Sequence, residues 1–252
     1  MAAEKLFNCR FAKECATVRL ICFPWAGGGS NFYALWGKTL PDFIEVHALN
    51  LPGRESRFKE PCITNLNSLV DDLVERIHSK FSNKKIAFFG HSLGSMLSFE
   101  VARKLLSKYN TEPCAMFISG ASPAHSSYRK SDPRFGKMSD KEFIQFLHKL
   151  GGTPKEILEN EEIMELYLPA LKADYSLLDQ FDFEPEPGKP VVSCPLVMFD
   201  GDCDKKHNDD AWKELTSGSF SLQFLPGGHF YLKEKANSDY ILDAISKQLA
   251  SC

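Results

Sequence analysis

Short apolar runs alternate along the chain with longer stretches in which apolar residues recur every three or four positions. The short runs are typical of strands that are buried on both faces of a sheet. The longer stretches have the periodicity of amphipathic helices. This alternation predicts an α/β fold, in which a mostly parallel sheet is covered by helices on both faces. The predicted strands are residues 18–23, 44–49, 86–89, 115–119, 196–199 and 220–225.

The alternation is interrupted between residues 122 and 193, where helices and loops are indicated but no strand. Capping boxes predict helix starts at Ser139–Glu142 and at Thr153–Glu156, and a third helical stretch is predicted to begin near Pro169. An all-helical insertion at this position is typical of a lid over an active site. A helical excursion that completes the core fits the same pattern. We expect one domain, residues 1–252, that contains the insertion.

Composition and charge narrow the classes of function. The chain has 252 residues and a net charge of −3, which gives no basis for nucleic-acid binding. Neither a signal-peptide pattern nor an apolar run of about 18 residues is present, so we expect a cytosolic protein with no stable membrane anchor. The eight cysteines are scattered and lack Cys-x-x-Cys spacing, which favours reduced thiols over disulfides or a metal site.

One Gly-x-Ser-x-Gly sequence, Gly90 to Gly94, lies between a predicted strand and a predicted helix. This is the context of a nucleophile elbow, where a serine sits on a sharp turn and small neighbours make the turn possible. The helix behind the serine presents backbone N–H groups to a developing oxyanion. Ser92 is therefore a candidate nucleophile, although a chance Gly/Ser loop would read the same way.

A serine hydroxyl needs a general base, and the base needs a carboxylate to orient it. His229 follows the last predicted strand in a glycine-flanked loop, whereas the other histidines, His207 among them, are predicted in strands, in the elbow, in the lid or on the surface. Asp202 and Asp204 follow the preceding strand and are both candidates for the acid. Asp200 is a weaker third because it can still belong to the strand. The chain order serine, aspartate, histidine is that of α/β-hydrolases.

Three consecutive glycines, Gly27 to Gly29, follow the first predicted strand. They do not fit the Gly-x-Gly-x-x-Gly dinucleotide fingerprint, and the lysine of a phosphate loop is missing. The stretch is either an oxyanion loop that faces the nucleophile or a flexible turn.

Several segments together resemble the type II thioesterases, including the animal thioesterases that serve fatty acid synthase. The resemblance covers nearly the whole chain, and its Leu-Pro-Gly-Arg-Glu segment is far more specific than the elbow motif. One departure is minor: three glycines stand in a loop where the family often has two. The matching segments are Ile21–Trp25 with Gly27–Gly29, Leu51–Arg57, Phe88–Gly94, Gly151–Pro154 and Leu225–Tyr231.

The resemblance implies the α/β-hydrolase fold and hydrolysis of the thioester that joins a fatty acyl chain to the phosphopantetheine of acyl carrier protein. The family's Gly-x-x-Asp pattern favours Asp204 as the acid, and its oxyanion donors map onto the backbone N–H groups of Ala26 and Leu93. No cofactor or metal is implied. Two other functions remain open: a carboxylesterase or lipase acting on oxygen esters, and a non-catalytic binding protein with a hydrolase fold.

Acyl carrier proteins present an acidic helix, so cationic side chains near the predicted active-site edge are candidates for docking. Arg54 follows the second predicted strand, and Arg129 and Arg134 open the insertion. For Arg54 the alternative is equally strong: it pairs with Glu55 or another acid and holds its loop together.

Overall fold

A seven-stranded sheet forms the centre of the protein in its computed structural model, which describes residues 5–130, 134–135, 138–150 and 160–252. The strand order is β1-β3-β2-β4-β5-β6-β7, and β1 alone is antiparallel to its neighbour. All six predicted strands are present, three with the predicted bounds and three with bounds shifted by one or two residues. The strands are β1 (Phe7–Asn8), β2 (Val18–Phe23), β3 (Ile44–Leu49), β4 (Lys85–His91), β5 (Met116–Ser119), β6 (Leu196–Gly201) and β7 (Phe220–Leu225).

Helices cover both faces of the sheet. The side chains of β2 alternate between two apolar cores: Leu20 belongs to one and Ile21 to the other. The core that contains Ile21 also contains the apolar stripes of α2 and α3, while the other is closed by α1 and α7. The helices are α1 (Asn31–Ala34), α2 (Leu66–Phe81), α3 (Leu93–Tyr109), α4 (Ser127–Lys130), α5 (Asp140–Leu150), α6 (Glu161–Leu178) and α7 (Lys235–Leu249).

The short helix α1 is followed directly by a 3₁₀ turn at Leu35–Lys38. One helix prediction needs correction. The third helix of the insertion begins at Glu161 rather than near Pro169, which lies inside α6. Its start is set by Asn160, whose side chain accepts a hydrogen bond from the Ile163 N–H at 3.0 Å, as an N-cap residue does.

The insertion carries its own small apolar cluster, in which Phe135 and Phe143 pack against Tyr175 of α6. The capping box at the start of α5 is confirmed, because Ser139 and Glu142 exchange hydrogen bonds as predicted. The second predicted capping box, Thr153–Glu156, lies outside the described residues. Among the described helices, none combines the length and the apolar character needed to cross a bilayer.

Candidate active site

Ser92 lies at the turn between β4 and α3 in a conformation that few residues other than glycine adopt. Its φ is +55° and its ψ is −118°, which makes the turn strained. The neighbouring glycines have no room for a side chain. A Cβ on Gly90 would lie 2.2 Å from the Gly94 carbonyl oxygen, and one on Gly94 would lie 2.0 Å from the Phe23 carbonyl oxygen. The turn therefore has the form that the sequence predicts for a nucleophile elbow.

The structure brings together three of the predicted residues from three loops at the carboxyl edge of the sheet. His229 Nε2 lies 3.1 Å from Ser92 Oγ, and His229 Nδ1 lies 2.7 Å from Asp204 Oδ2. The loops follow β4, β6 and β7, which are parallel strands of the same sheet. Both members of the His229–Asp204 pair are nearly buried, with side-chain exposures of 5% and 4%. A hydroxyl, an imidazole and a carboxylate in this order can transfer a proton away from the hydroxyl.

The environment keeps Asp204 ionised. Burial by itself raises the pKa of Asp204, but the hydrogen bond and the charge of His229 outweigh burial, so the pKa lies below its ordinary value. His91 packs beside His229, with ring centroids 4.9 Å apart. Burial and the nearby charge of His229 lower the pKa of His91 well below its ordinary value. His91 is therefore neutral and leaves Asp204 as the charged neighbour that fixes His229.

The other two candidate acids are held elsewhere. Asp202 accepts a hydrogen bond from the Gly227 N–H at 2.8 Å and so stabilises the turn that precedes His229. Asp200 belongs to β6, and its Oδ2 lies 2.7 Å from Nδ1 of His207. The geometry thus favours Asp204 over both as the partner of His229.

The glycine loop, residues 24–30, lies beside the elbow. Phe23 and Gly90 are register partners in β2 and β4, so Ala26 and Leu93 each follow three residues after a paired position. Leu93 begins α3 and is fully buried. The turns that carry Ala26 and Leu93, the two predicted oxyanion donors, therefore follow neighbouring strands at the same edge of the sheet.

Ser92 and His229 line a cavity of about 150 Å³ between the sheet edge and the insertion. The insertion contributes mainly aromatic and apolar side chains to its wall, so the site combines a polar hydrogen-bonded floor with an apolar roof. The insertion residues in the wall are Ser122, Tyr128, Arg129, Phe135, Phe146, Tyr175 and Leu178.

Comparison with known proteins identifies the family of the chain. The profile of the Thioesterase domain matches residues 18–249. The chain belongs to the thioesterase family. It is a hydrolase of acyl thioesters. The medium-chain S-acyl fatty acid synthase thioesterases of Homo sapiens and Rattus norvegicus are 40% and 39% identical to it, over 98% of this chain and 92% and 93% of theirs.

Solved structures place the thioesterase among the α/β-hydrolases. The type II thioesterase BorB from the borrelidin biosynthetic cluster superposes with a TM-score of 0.82 at 30% sequence identity, covering 97% of each chain. The predicted fold class is confirmed: a mostly parallel sheet with helices on both faces.

One histidine of the thioesterase lies in a different place from the one predicted. His207, expected on the surface or in the lid, is buried beside the site, with its ring centroid 6.4 Å from that of His229. Burial and the negative charge of Asp200 raise the pKa of neighbouring Asp209 to about 7. Donor atoms of Asp200, His207 and Asp209 lie within 4.8 Å of one another, a grouping of the kind that ligates metals, but here His207 Nδ1 is hydrogen-bonded to Asp200. One sequence signal for this place was available: His207 follows Asp204 by only three residues.

The expectation that Arg54 meets a carrier protein is wrong. Arg54 is 8% exposed, and its guanidinium makes two hydrogen bonds to the carboxylate of Asp174, at 2.6 and 2.8 Å. A buried, ion-paired guanidinium has no surface to offer a partner. The alternative, in which Arg54 pairs with an acid, is the one observed, but the acid comes from α6 rather than from Glu55. Sequence reasoning missed Asp174 because it lies 120 residues away with no motif around it.

The other two predicted docking residues lie at the insertion. Arg129 is half-buried in the cavity wall and donates to the carbonyl oxygen of Leu178. Arg134 is exposed and donates to the carbonyl oxygen of Asp179 at 2.8 Å. Of the three predicted docking cations, Arg134 is the exposed one.

Proposed function

We propose that this thioesterase hydrolyses the thioester between a medium- or long-chain fatty acyl group and the phosphopantetheine of a fatty acid synthase acyl carrier protein. It releases the free fatty acid in the cytosol. The observation that carries the proposal is the hydrogen-bonded series Ser92–His229–Asp204 at the floor of an aromatic-walled cavity. The names of the mammalian relatives, medium-chain thioesterases of fatty acid synthase, support the choice of substrate.

In the first half of the proposed reaction, His229 Nε2 takes the proton from Ser92 Oγ as the oxygen attacks the thioester carbonyl carbon. The carbonyl oxygen becomes an oxyanion and accepts hydrogen bonds from the N–H groups of Ala26 and Leu93. When the intermediate collapses, the carbon–sulfur bond breaks and the leaving sulfur takes the proton from His229. Ser92 then carries the acyl group as an oxygen ester.

In the second half, a water molecule gives a proton to His229 Nε2 and its oxygen attacks the ester carbonyl carbon. The same two N–H groups stabilise the second oxyanion. Collapse breaks the bond to Ser92 Oγ, which recovers its proton from His229, and the fatty acid leaves. Asp204 holds the Nδ1 proton of His229 in both halves and stabilises the imidazolium.

The insertion, residues 122–193, serves as a lid of the single domain in this proposal. Its aromatic residues cover the apolar part of the cavity where the acyl chain binds. Phe135, Phe146 and Tyr175 pack against one another there, with centroid distances of 4.8 to 5.6 Å. These side chains exclude water from the bound acyl group, and burial of its apolar surface then contributes to binding.

A substrate panel tests the proposed function. We expect decanoyl- or palmitoyl-carrier protein to give a higher kcat/KM than the matching CoA thioesters, and both to exceed a p-nitrophenyl ester. Ser92→Ala should lower kcat on the order of 10⁴- to 10⁶-fold without unfolding the protein. A preference for the oxygen ester would indicate a carboxylesterase or lipase instead. Acyl binding without turnover by the wild-type protein would indicate a non-catalytic binding protein.

A further inference from the structure

We propose that Arg54, Glu55 and Asp174, here called the brace, position the glycine loop so that the Ala26 N–H is aimed at the oxyanion. The brace also makes that aim depend on the packing of α6 against the loop. This inference rests on the proposed role of Ala26 as an oxyanion donor, and it assigns a role to the Arg-Glu pair of the Leu-Pro-Gly-Arg-Glu segment.

Asp174 connects α6 to the glycine loop. Its Oδ2 accepts hydrogen bonds from the Gly27 N–H at 2.7 Å and from Arg54 Nη1 at 2.6 Å, while its Oδ1 accepts one from Arg54 Nη2 at 2.8 Å. The Asp174 side chain is 3% exposed. The Gly27 N–H belongs to the peptide that links Ala26 to Gly27, so a carboxylate on the insertion fixes the peptide plane directly after the proposed oxyanion donor.

Arg54 holds the next part of the loop. In addition to the two bonds to Asp174, Arg54 Nη1 donates to the Gly28 carbonyl oxygen at 3.1 Å. One guanidinium therefore contacts both the loop and the acid that the loop binds. The planar fork of arginine suits this geometry, whereas a lysine ammonium cannot make the same paired bonds.

Glu55 holds the far end of the loop. Its Oε1 accepts a hydrogen bond from the Asn31 N–H at 3.0 Å, and its Oε2 accepts one from the Ser30 hydroxyl. Glu55 has a φ of +45°, a conformation that costs energy for a residue with a side chain. The loop is shaped to receive it, because a Cβ on Gly29 would lie 2.2 Å from Glu55 Oε1. Gly29 is thus required for the contact.

Apolar packing joins the polar contacts at the same place. A Cβ on Gly27 would lie 2.4 Å from Cδ2 of Leu171, which is one turn before Asp174 on α6. The helix therefore lies directly against the loop. If α6 moved away, the Gly27 N–H would lose its acceptor and Arg54 would lose its counter-ion together. The orientation of the Ala26 N–H group therefore depends on the packing of the insertion against the glycine loop.

The polar character of the brace also points to positioning rather than to stability. A buried ion pair gains little over apolar residues of the same volume, because desolvation of the two charges offsets their attraction. What such a pair contributes is direction: hydrogen bonds of fixed geometry to defined atoms. Here those atoms belong to the loop that carries Ala26.

The test compares the single variants Asp174→Asn and Arg54→Lys with the wild-type chain. Because loss of one well-aimed oxyanion donor lowers kcat by about 10²- to 10³-fold, a misaligned donor should lower it by about 10- to 100-fold, with KM changed less than about threefold. The matched controls are Glu100→Gln and Arg103→Lys. That ion pair lies within α3, and its change should leave kcat unaltered.

Two inhibitors separate positioning from general damage. An alkyl trifluoromethyl ketone adds Ser92 Oγ to its carbonyl and places an oxyanion in the site, whereas the matching alkyl thioether binds without one. In both brace variants the ketone should lose affinity by the factor by which kcat/KM falls, and the thioether should keep its affinity. Equal weakening of both ligands, or unchanged kcat, would overturn the inference.

The double variant Arg54→Met with Asp174→Leu removes both charges and keeps the volume. We expect its Tm to stay near that of the wild type while its kcat stays as low as in the single variants. Recovery of kcat in this double variant would show that the brace serves packing alone. If the wild type fails to hydrolyse carrier-linked thioesters, the proposed substrate is wrong, but the ketone and thioether affinities still decide the role of the brace.

Discussion

Replacement of Asp204 by asparagine is the sharpest test of how the site is organised. The carboxylate lies 2.7 Å from His229 Nδ1 and is 4% exposed, so water cannot substitute for it. The amide that replaces it carries no charge, and its NH₂ group can donate to Nδ1. A donor at Nδ1 favours the tautomer with its proton on Nε2, and this tautomer cannot accept the proton of Ser92.

The expected loss in rate has two sources. Two unit charges about 4 Å apart attract each other by about 4 kcal/mol at an effective dielectric constant of about 20, which is the stabilisation that Asp204 gives to the imidazolium. Each 1.36 kcal/mol is a factor of ten, so this loss alone slows the reaction by about 10³-fold. The wrong tautomer adds to it, and the sum agrees with the roughly 10⁴-fold loss known for the equivalent change in a serine protease.

The assay is thiol release from an acyl-CoA or acyl-carrier protein, with kcat and Tm measured for each variant. Asp202→Asn is the matched control, because an amide oxygen can still accept the Gly227 N–H and His229 is not touched. We expect its kcat to stay within about threefold of the wild type. A large loss in Asp202→Asn together with a loss below tenfold in Asp204→Asn would refute the assignment of the acid.

Two further predictions concern pH and partner binding. Burial and the charge of Asp200 raise the pKa of Asp209 to about 7. Between about pH 4 and pH 7 the folded state therefore holds a proton that the unfolded state has lost. Over this range the free energy of unfolding should fall as pH rises, by at most about 1.4 kcal/mol per pH unit from this group. When Tm is measured from pH 5 to 8, the Tm of Asp209→Asn should rise relative to that of the wild type as pH increases. A constant difference in Tm between the two proteins would contradict this. Arg134→Glu should raise KM several-fold for acyl-carrier protein, and much less for acyl-CoA, while Lys84→Glu, just before β4 at the opposite edge of the sheet, should change neither. An equal rise in KM for both substrates would mean that Arg134 shapes the lid or the acyl site.

Much of the fold could be predicted from the sequence because its determinants are local. Each buried parallel strand must be apolar over its own length, so the six parallel strands were recognisable one by one. The elbow is local in part: Gly90 is required because the turn brings the Gly94 carbonyl oxygen against it, whereas Gly94 makes room for the Phe23 carbonyl oxygen of the neighbouring strand β2. β1, with two residues, was too short to leave a pattern.

Only some residues of the site could be predicted from the sequence, because only some of them are fixed by local determinants. His229 was recognisable because a glycine-flanked loop after the last strand must lie at the carboxyl edge of the sheet. Among Asp200, Asp202 and Asp204 the family pattern favoured Asp204, but the physical reason lies in the side-chain directions within one turn, and only the folded loop determines them.

The partner of Arg54 shows what the tertiary structure alone decided. The sequence indicated a cation that either meets a partner or pairs with an acid, and Glu55 was the nearest acid. In the folded protein Glu55 binds Ser30 and Asn31 instead, and Asp174 arrives from a helix 120 residues further along the chain. Local sterics are encoded in neighbouring residues, whereas a buried charge pair forms between whichever groups the packing of distant elements brings together, because only there is water excluded from both.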